Sequence, residues 1–335
     1  LSLSPVAGAI AAGNRVMLKP SEWTPKTSAL LAELASEAFE PDEFAVFEGG
    51  IETGRAFAEL PFDHLLFTGS TRVAKEVSNS AAKNLTPLTL ELGGKSPALV
   101  CPGANLKRAA ERIVFGKLAN AGQSCIAPDY VFVERAKFHD FIELLQTYIK
   151  KAYPRLNNNP DYTSIISADH FSRLNRMIEE AREEGAEIIS INPDGDALEP
   201  SARKIPPTLI LRPNPTLSVM QEEIFGPILP VLSYEKIEEA IEFVQNRARP
   251  LALYLFTEKA IERERILRET VSGGVAVNEV LFHCVCETLP FGGVGASGMG
   301  SYHGQAGFDT FSHLKPVFIQ PRFNFNFFLV PPITP

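Results

Sequence analysis

The chain has 335 residues, a length that corresponds to about two domains with room for large buried cores. Hydrophobic residues make up 45% and charged residues 21%, which argues against the collagen-like and disordered classes of protein. The net charge is −8 and the sequence has no run of Lys and Arg, which argues against nucleic acid as a partner. Four cysteines are too few for a disulfide scaffold, so we expect a cytoplasmic protein. No apolar run reaches the ~18 residues of a membrane-spanning helix, so we expect no membrane partner.

Strand and helix patterns alternate along residues 1–92. Apolar residues at Val6 and Ile10, followed by Gly13, predict the end of a helix. The elements predicted after it are, in order, strand Val16–Leu18, a helix from Pro25, strand Phe44–Phe47, helix Glu52–Leu60, strand His64–Thr68, helix Thr71–Ala82 and strand Leu88–Leu92. Such alternation predicts a parallel sheet covered by helices.

A second α/β succession follows Gly93–Gly94. Its predicted elements are strand Ala98–Val100, helix Leu106–Ala119, strand Tyr130–Glu134, helix Ala136–Lys151, a helix around Ser172–Glu184, strands Ile188–Ile191 and Thr208–Leu211, helix Ile237–Gln245, strand Ala252–Phe256, helix Glu258–Glu269 and strand Gly274–Asn278. The composition of Asn120–Pro128 predicts a loop, and Phe291–Gly300 is glycine-rich. We therefore predict two α/β units joined near Leu92–Lys95.

Two loops at predicted strand ends could bind a nucleotide. Gly69–Ser70 precedes a helix whose free N–H groups and dipole favour an anion such as a pyrophosphate, although capping alone is the commoner reason for a Gly–Ser turn. Lys19 and Glu22 could hold a ribose as donor and acceptor, or could be a solvated ion pair. Each motif by itself is weak.

Two residues could carry catalysis. Glu91 ends an otherwise apolar strand, so partial burial would raise its pKa toward that of a general base; the alternative is an exposed strand end. Cys125 lies in a loop of small and polar residues and could be a nucleophile, although most free cysteines are small buried hydrophobes. Cys101 follows an apolar strand and is assigned to packing.

The segment His283–Cys286 contains one imidazole and two thiols, which are zinc ligands. Their spacing is too tight for a closed four-ligand site, and no second cysteine pair exists, so we predict no metal and a strand or loop beside a pocket. A Cys–His peptidase built on Cys125 has no support from the local sequence.

Taken in order, several motifs resemble those of the NAD(P)-dependent aldehyde dehydrogenase family, and the resemblance covers essentially the whole chain. The motifs are Ala11–Glu22, Phe67–Thr71, Leu90–Pro97, Gly122–Cys125, Glu222–Pro227 and Pro290–Gly295. Residues 301–313 are similar to the class 3 branch, and Cys125–Tyr130 and Asn278–His283 look most like bacterial coniferyl-aldehyde dehydrogenases.

The resemblance implies roles for individual residues. Cys125 would be the nucleophile that forms a thiohemiacetal and then a thioester, and Glu91 would activate the water that hydrolyses it. The implied cofactor contacts are Lys19, Ser21 and Glu22 at the adenine ribose, Gly69 and Ser70 at the pyrophosphate, Leu92 and Phe225 near the nicotinamide, and Glu223 at the nicotinamide ribose. A carboxylate at Glu22 suits a free 2′-OH, so NAD is the expected cofactor, with NADP as the alternative.

The fold implied by the resemblance is α/β and aldehyde dehydrogenase-like. Residues 1–92 would be a Rossmann-type cofactor domain, incomplete at its N-terminus, and residues 93–290 a catalytic α/β domain. Residues 291–335 would return to the cofactor domain or to the subunit interface of a homodimer, and we expect the aromatic run Phe323–Phe328 to cover a partner subunit. The substrate would be an aldehyde, aromatic such as coniferyl aldehyde or of medium chain length.

The chain begins after the family's Pro-Trp-Asn-like motif, whose Asn donates to the oxyanion. Losing one such donor commonly costs about 10²–10³ in rate. One alternative is therefore an inert fragment with a binding or structural role. Another is an acylating enzyme that passes the thioester to coenzyme A, against which Glu91 argues because such an enzyme should lack a hydrolytic base.

Overall fold

The computed structural model describes residues 2–324 and residue 331. The helices are α1 (Leu3–Ala11), α2 (Pro25–Ala38), α3 (Ile51–Ala58), α4 (Thr71–Ala82), α5 (Leu106–Leu118), α6 (Phe138–Ala152), α7 (Ala168–Glu183), α8 (Ser218–Gln221), α9 (Ile237–Gln245), α10 (Ala260–Glu269), α11 (Phe282–Val285) and α12 (Gly304–Thr310). The strands are β1 (Val16–Leu18), β2 (Phe44–Val46), β3 (Leu65–Thr68), β4 (Leu88–Glu91), β5 (Pro97–Val100), β6 (Tyr130–Glu134), β7 (Glu187–Ser190), β8 (Thr208–Leu211), β9 (Ile228–Tyr234), β10 (Ala252–Phe256), β11 (Gly274–Val277) and β12 (Gly298–Met299). The predicted α/β class is confirmed.

Two small sheets form from the first four strands. β1 and β2 pair in parallel, and β3 and β4 pair in parallel in a second sheet. β12, from the glycine-rich segment, adds to β4 in the antiparallel direction, with Gly298 opposite Glu91. A Cβ on Gly298 would lie 2.3 Å from the carbonyl oxygen of Leu90, so this close pairing requires glycine.

A seven-stranded sheet forms the larger part of the molecule, in the order β11-β10-β5-β6-β9-β8-β7. All of its pairs are parallel except β7 with β8. Hydrophobic clusters cover both faces, and successive residues alternate between them: Ala98 and Val100 of β5 belong to one cluster, Leu99 and Cys101 to the other. Burial on both faces explains why β5 has a continuous apolar sequence.

Three local predictions were wrong. β9, which lies inside the large sheet, was missed because Pro230 interrupts its pattern, and proline is usually confined to edge strands. His283 lies in the short helix α11 rather than in a strand or loop. The predicted loop 120–128 begins within a 3-10 helix, Ala119–Gly122.

The predictions for residues 291–335 can be compared with the structure only in part. Pairing of β12 with β4 returns part of the segment 291–335 to the first small sheets. Residues 325–328 of the aromatic run lie outside the described residues. The division of the chain at residues 92 and 290 stays a prediction. Across residues 2–324, no helix has both the length and the apolar character needed to cross a membrane.

Candidate functional site

Glu91 is the last residue of β4 and is buried, with 3% of its surface exposed. Neither carboxylate oxygen has a hydrogen-bond partner among the described residues. Burial raises the pKa of this carboxyl group to about 8. A carboxylate without partners and with a pKa in this range is suited to accept a proton from a ligand or water.

The loop before Cys125 is held in an unusual conformation. Asn120 and Ala121 have φ of +51°, and Gly122 has φ of +75°. A Cβ on Gly122 would lie 2.3 Å from the carbonyl oxygen of Gly226, so only glycine allows this approach. The side chain of Gln123 accepts from the N–H of Ile166 at 2.9 Å and anchors the loop next to the thiol.

The Cys125 thiol is partly buried and lies in an acidic neighbourhood. Burial and, to a smaller extent, the charges of Glu223, Cys284 and Glu91 together raise its pKa to about 12. Glu91 and Cys125, which come from different parts of the chain, are therefore close enough to interact electrostatically. The protein by itself keeps this thiol protonated near neutral pH.

Glu223 is a second buried carboxylate beside the thiol. Burial raises its pKa to about 7, and Asp129 contributes in the same direction. Its Oε1 atom has no hydrogen-bond partner among the described residues. A Cβ on Gly93 would lie 2.1 Å from Oε2, so the glycine after β4 makes room for this carboxylate.

The backbone around Glu223 is fixed by buried charged side chains. Lys95 forms an ion pair with Asp129 and donates to the carbonyl oxygens of Val219 and Glu222, both at 2.8 Å. Arg173 donates to the carbonyl oxygen of Glu223 at 3.1 Å. Buried charges are retained where such partners satisfy them, so this arrangement holds Glu223 in place.

Phe225 follows two residues after Glu223 and has φ of +53°, which is uncommon for a residue with a Cβ. Asp129 accepts from the N–H of Ile224 at 2.9 Å, and Arg173 donates to the Ile224 carbonyl oxygen at 2.6 Å. These bonds on the preceding residue stabilise the strained turn that directs the Phe225 ring.

Lys19, Ser21 and Glu22 lie on the loop after β1. The Lys19 Nζ and Glu22 Oε2 atoms are 3.0 Å apart, and the pKa of Glu22 is lowered by a backbone N–H and by Lys19. Ser21 accepts from the N–H of Trp23 at 3.3 Å. The predicted ion pair is thus present at the surface, at the carboxyl end of a parallel strand, where nucleotides bind in open α/β sheets.

Gly69 and Ser70 connect β3 to α4. The N–H of Gly69 donates to the carbonyl oxygen of Glu91 at 3.0 Å, which ties this turn to the end of β4. Ser70 caps α4 by accepting from the N–H of Val73 at 3.3 Å, so the capping role considered for this motif is present. The neighbouring Leu92 is buried, and its N–H donates to Ser297 at 3.1 Å.

The sequence interpretation missed one buried cation. Lys117 in α5 is 2% exposed, its Nζ atom has no partner in the described part of the chain, and burial lowers its pKa to about 8. Asp129 and Glu223 oppose that shift, which identifies them as neighbours. Its only sequence signal is a lysine on a helix face that otherwise carries buried residues.

His283 is enclosed by aromatic rings. Its ring centroid lies 5.9 Å from that of Tyr254 and 6.2 Å from that of Phe291. Neither nitrogen has a partner in the described structure, and burial lowers its pKa. Residues 2–324 contain no group of three or more His, Cys, Asp or Glu side chains placed to hold a metal ion.

Known proteins share this sequence and fold. The aldehyde dehydrogenase family model matches residues 1–317. The chain is 50% identical to the probable coniferyl aldehyde dehydrogenase of Pseudomonas aeruginosa, over 99% of this chain and 69% of that protein. It is 51% identical to a probable coniferyl aldehyde dehydrogenase of Caulobacter vibrioides, over 96% of this chain and 66% of that protein.

Solved structures agree with the sequence matches. A substrate-bound AldH from Staphylococcus aureus has a TM-score of 0.89 at 44% identity, over 96% of this chain and 69% of that one. An aldehyde dehydrogenase from Mycobacterium tuberculosis complexed with NAD+ has a TM-score of 0.86 at 30% identity, over 96% and 67%. The chain spans about two thirds of the length of these relatives. It belongs to the aldehyde dehydrogenase family.

Proposed function

We propose that this protein oxidises aldehydes to carboxylic acids with NAD(P)+, using Cys125 as the nucleophile. The observation that carries the proposal is the electrostatic interaction of the Cys125 thiol with Glu91, a buried carboxylate that has no hydrogen-bond partner among residues 2–324. A nucleophile beside a base is the arrangement that covalent catalysis requires. Membership in the family and the names of the relatives support the same reaction.

Cys125 attacks the aldehyde carbon and forms a thiohemiacetal. Because burial and the nearby charges of Glu223, Cys284 and Glu91 raise the pKa of the thiol to about 12, its proton must be lost to water during the attack. The oxyanion requires oriented N–H donors, one of which would be the backbone N–H of Cys125 itself. The backbone just before Cys125 has a defined conformation, with φ values of +51° to +75° at residues 120–122.

Glu91 acts after oxidation, when a thioester remains on Cys125. With a pKa of about 8, the carboxyl group is close to the range in which it can take a proton from water and later release it. Hydrolysis then frees the acid and restores the thiol. A base at this position favours hydrolysis of the thioester over transfer of its acyl group to coenzyme A. An assay of acyl transfer to coenzyme A distinguishes the two reactions.

The cofactor is NAD(P)+, which accepts the hydride when bound. Glu223 fits its nicotinamide ribose because Oε1 is buried and lacks a partner, so a ribose hydroxyl would satisfy it. Phe225 would pack beside the nicotinamide ring, near the Leu92 backbone. The outer residues Lys19, Ser21 and Glu22 would hold the adenine ribose, where the Glu22 carboxylate favours NAD over NADP.

The pyrophosphate would bind at the turn formed by Gly69 and Ser70. Ser70 uses its hydroxyl to cap α4, which leaves the other first-turn N–H groups of this twelve-residue helix for an anion. Together with the ribose contacts, this would place the dinucleotide across the carboxyl ends of β1, β3 and β4.

The finer assignments follow the relatives. We propose coniferyl aldehyde or a similar aromatic aldehyde as the substrate, because two relatives at about 50% identity are named as probable coniferyl aldehyde dehydrogenases. We also propose a cytoplasmic homodimer, with residues 1–92 as cofactor domain, 93–290 as catalytic domain and 291–335 reaching the subunit interface.

NADH formation tests the proposal. The purified protein is mixed with NAD and coniferyl aldehyde, and absorbance is followed for the native protein, Cys125→Ala and Cys286→Ala. We expect the first substitution to abolish NADH formation, because no other thiol occupies this loop. Cys286 is exposed and serves as a matched control that should keep activity. Native rates in Cys125→Ala would refute the proposal.

A further inference from the structure

A second thiol lies beside Cys125. Cys284 of α11 and Cys125 are both partly buried and pack against the same hydrophobic cluster. The charge of a Cys284 thiolate would also raise the pKa of Cys125, in agreement with their position in one cluster. The other two cysteines differ: Cys101 is buried in the opposite cluster, and Cys286 is exposed.

Tyr254 connects the two segments that carry these thiols. Its hydroxyl donates to the carbonyl oxygen of Ile126, the residue after Cys125. Its ring lies 5.9 Å from that of His283, the residue before Cys284. One side chain of β10 therefore contacts the residue after the first thiol and the residue before the second.

We propose that Cys284 is a resolving cysteine, which forms a disulfide with Cys125 after a hydroperoxide has oxidised Cys125. This inference rests on the proposed function only in taking Cys125 as the reactive thiol. α11 has a single helical turn, with Phe282 and Val285 49% and 69% exposed, so it is lightly packed and can adjust toward the geometry of a disulfide.

The chemistry proceeds in two balanced steps. The Cys125 sulfur attacks the peroxide, an S–O bond forms while the O–O bond breaks, and the alcohol or water that leaves takes the thiol proton. The Cys284 sulfur then attacks the resulting sulfenic acid, an S–S bond replaces the S–O bond, and water leaves with the Cys284 proton. Two thiols are oxidised and one peroxide is reduced.

Such a disulfide would block aldehyde oxidation and protect the thiol. A sulfenic acid without a nearby thiol is oxidised further to sulfinic acid, which thiol reagents do not reverse. With Cys284 present, the oxidised state is a disulfide that a reductant opens. The expected consequence is reversible inactivation.

The test exposes the native protein, Cys284→Ser and Cys286→Ser to hydrogen peroxide without aldehyde, and then adds dithiothreitol. We expect the native protein and Cys286→Ser to lose two thiols per chain, to yield a Cys125–Cys284 linked peptide in mass spectrometry, and to regain most of their NADH formation. Cys284→Ser should start with native activity but should not recover, and its Cys125 peptide should carry two added oxygen atoms.

Two results would overturn the inference. One is full recovery of Cys284→Ser by dithiothreitol, and the other is a peroxide-treated native protein without the Cys125–Cys284 linked peptide. The linked peptide and the thiol count do not depend on aldehyde oxidation. They therefore test the disulfide even if the protein forms no NADH and the proposed function fails.

Discussion

At the scale of single residues, the site contains buried charged groups whose desolvation is only partly compensated by their neighbours. Within the described part of the chain, Glu91 and Glu223 both keep carboxylate oxygens without partners, and Lys117 keeps a buried ammonium group without one. Unsatisfied buried polar groups are rare in folded proteins because each costs free energy. Because Glu91 and Glu223 both act on the Cys125 thiol, they indicate a site whose ligands complete the hydrogen bonds.

The burial of Glu91 predicts a pH-dependent stability difference in Glu91→Gln. The folded-state pKa of about 8 lies above the value of 4.5 for an exposed glutamate, so the folded protein binds this proton more tightly than the unfolded chain does. The stabilisation is complete below about pH 4.5 and is lost as the pH rises through 8. We expect Glu91→Gln to match the native protein at pH 5 and to be more stable at pH 8.5.

Urea unfolding at the two pH values measures this difference. Glu37→Gln, at an exposed position of α2, is the control and should follow the native protein at both. An equal stability change in Glu91→Gln at pH 5 and pH 8.5 would contradict the burial argument.

At the scale of elements, close backbone approaches set the site geometry. Gly122 brings the Cys125 loop against Gly226, and Gly93 leaves space for the Glu223 carboxylate. Gly298 brings β12 against the end of β4. Each of these contacts joins segments that are far apart in the chain, so the positions of Cys125, Glu91 and Glu223 depend on them.

Gly93→Ala is expected to weaken cofactor binding. An added Cβ would lie 2.1 Å from the Glu223 carboxylate and would displace it from its present position. Gly50→Ala is the matched control, since a Cβ there meets nothing within 4 Å. Fluorescence titration with NADH should give a higher Kd for Gly93→Ala and a native Kd for Gly50→Ala. A native Kd in Gly93→Ala would remove Glu223 from the proposed cofactor contacts.

At the scale of the whole molecule, the described end of the chain exposes apolar side chains. Val317, Phe318 and Ile319 are 70%, 81% and 82% exposed. Contiguous exposed apolar residues mark interaction surfaces. They support the proposal that residues 291–335 reach a subunit interface.

Replacing Val317, Phe318 and Ile319 together with serine is therefore expected to shift the protein from dimer to monomer, because the apolar contact is lost. Light scattering after gel filtration gives the mass. Ile261→Ser, a 77% exposed position of α10, should leave the mass unchanged. A dimer that persists in the triple variant at low concentration would place the interface elsewhere.

Local sequence signals predicted much of this architecture. β1 and α4 have the predicted bounds because turn residues flank both of them. β9 was missed because a proline inside a buried strand contradicts the local rule, which tertiary packing overrides. The resemblance to the aldehyde dehydrogenase family is confirmed by the matches to known proteins.

The sequence could identify candidate site residues one by one, but it could not predict how they are arranged in space. The apolar strand left burial or an exposed strand end as alternatives for Glu91, and only the structure shows that it is buried and has no partner among the described residues. The raised pKa of Cys125 depends on three groups from three other segments. Lys117 gave no motif at all, since only the packed structure shows that its ammonium group lacks a partner.

The central claim is that a thioester forms on Cys125 and that Glu91 is needed to hydrolyse it. The most direct measurement is the mass of the Cys125 peptide from Glu91→Gln after incubation with NAD and coniferyl aldehyde. The account predicts that an acyl adduct accumulates on Cys125, together with a single burst of NADH. Native turnover in Glu91→Gln without an adduct on Cys125 would contradict it.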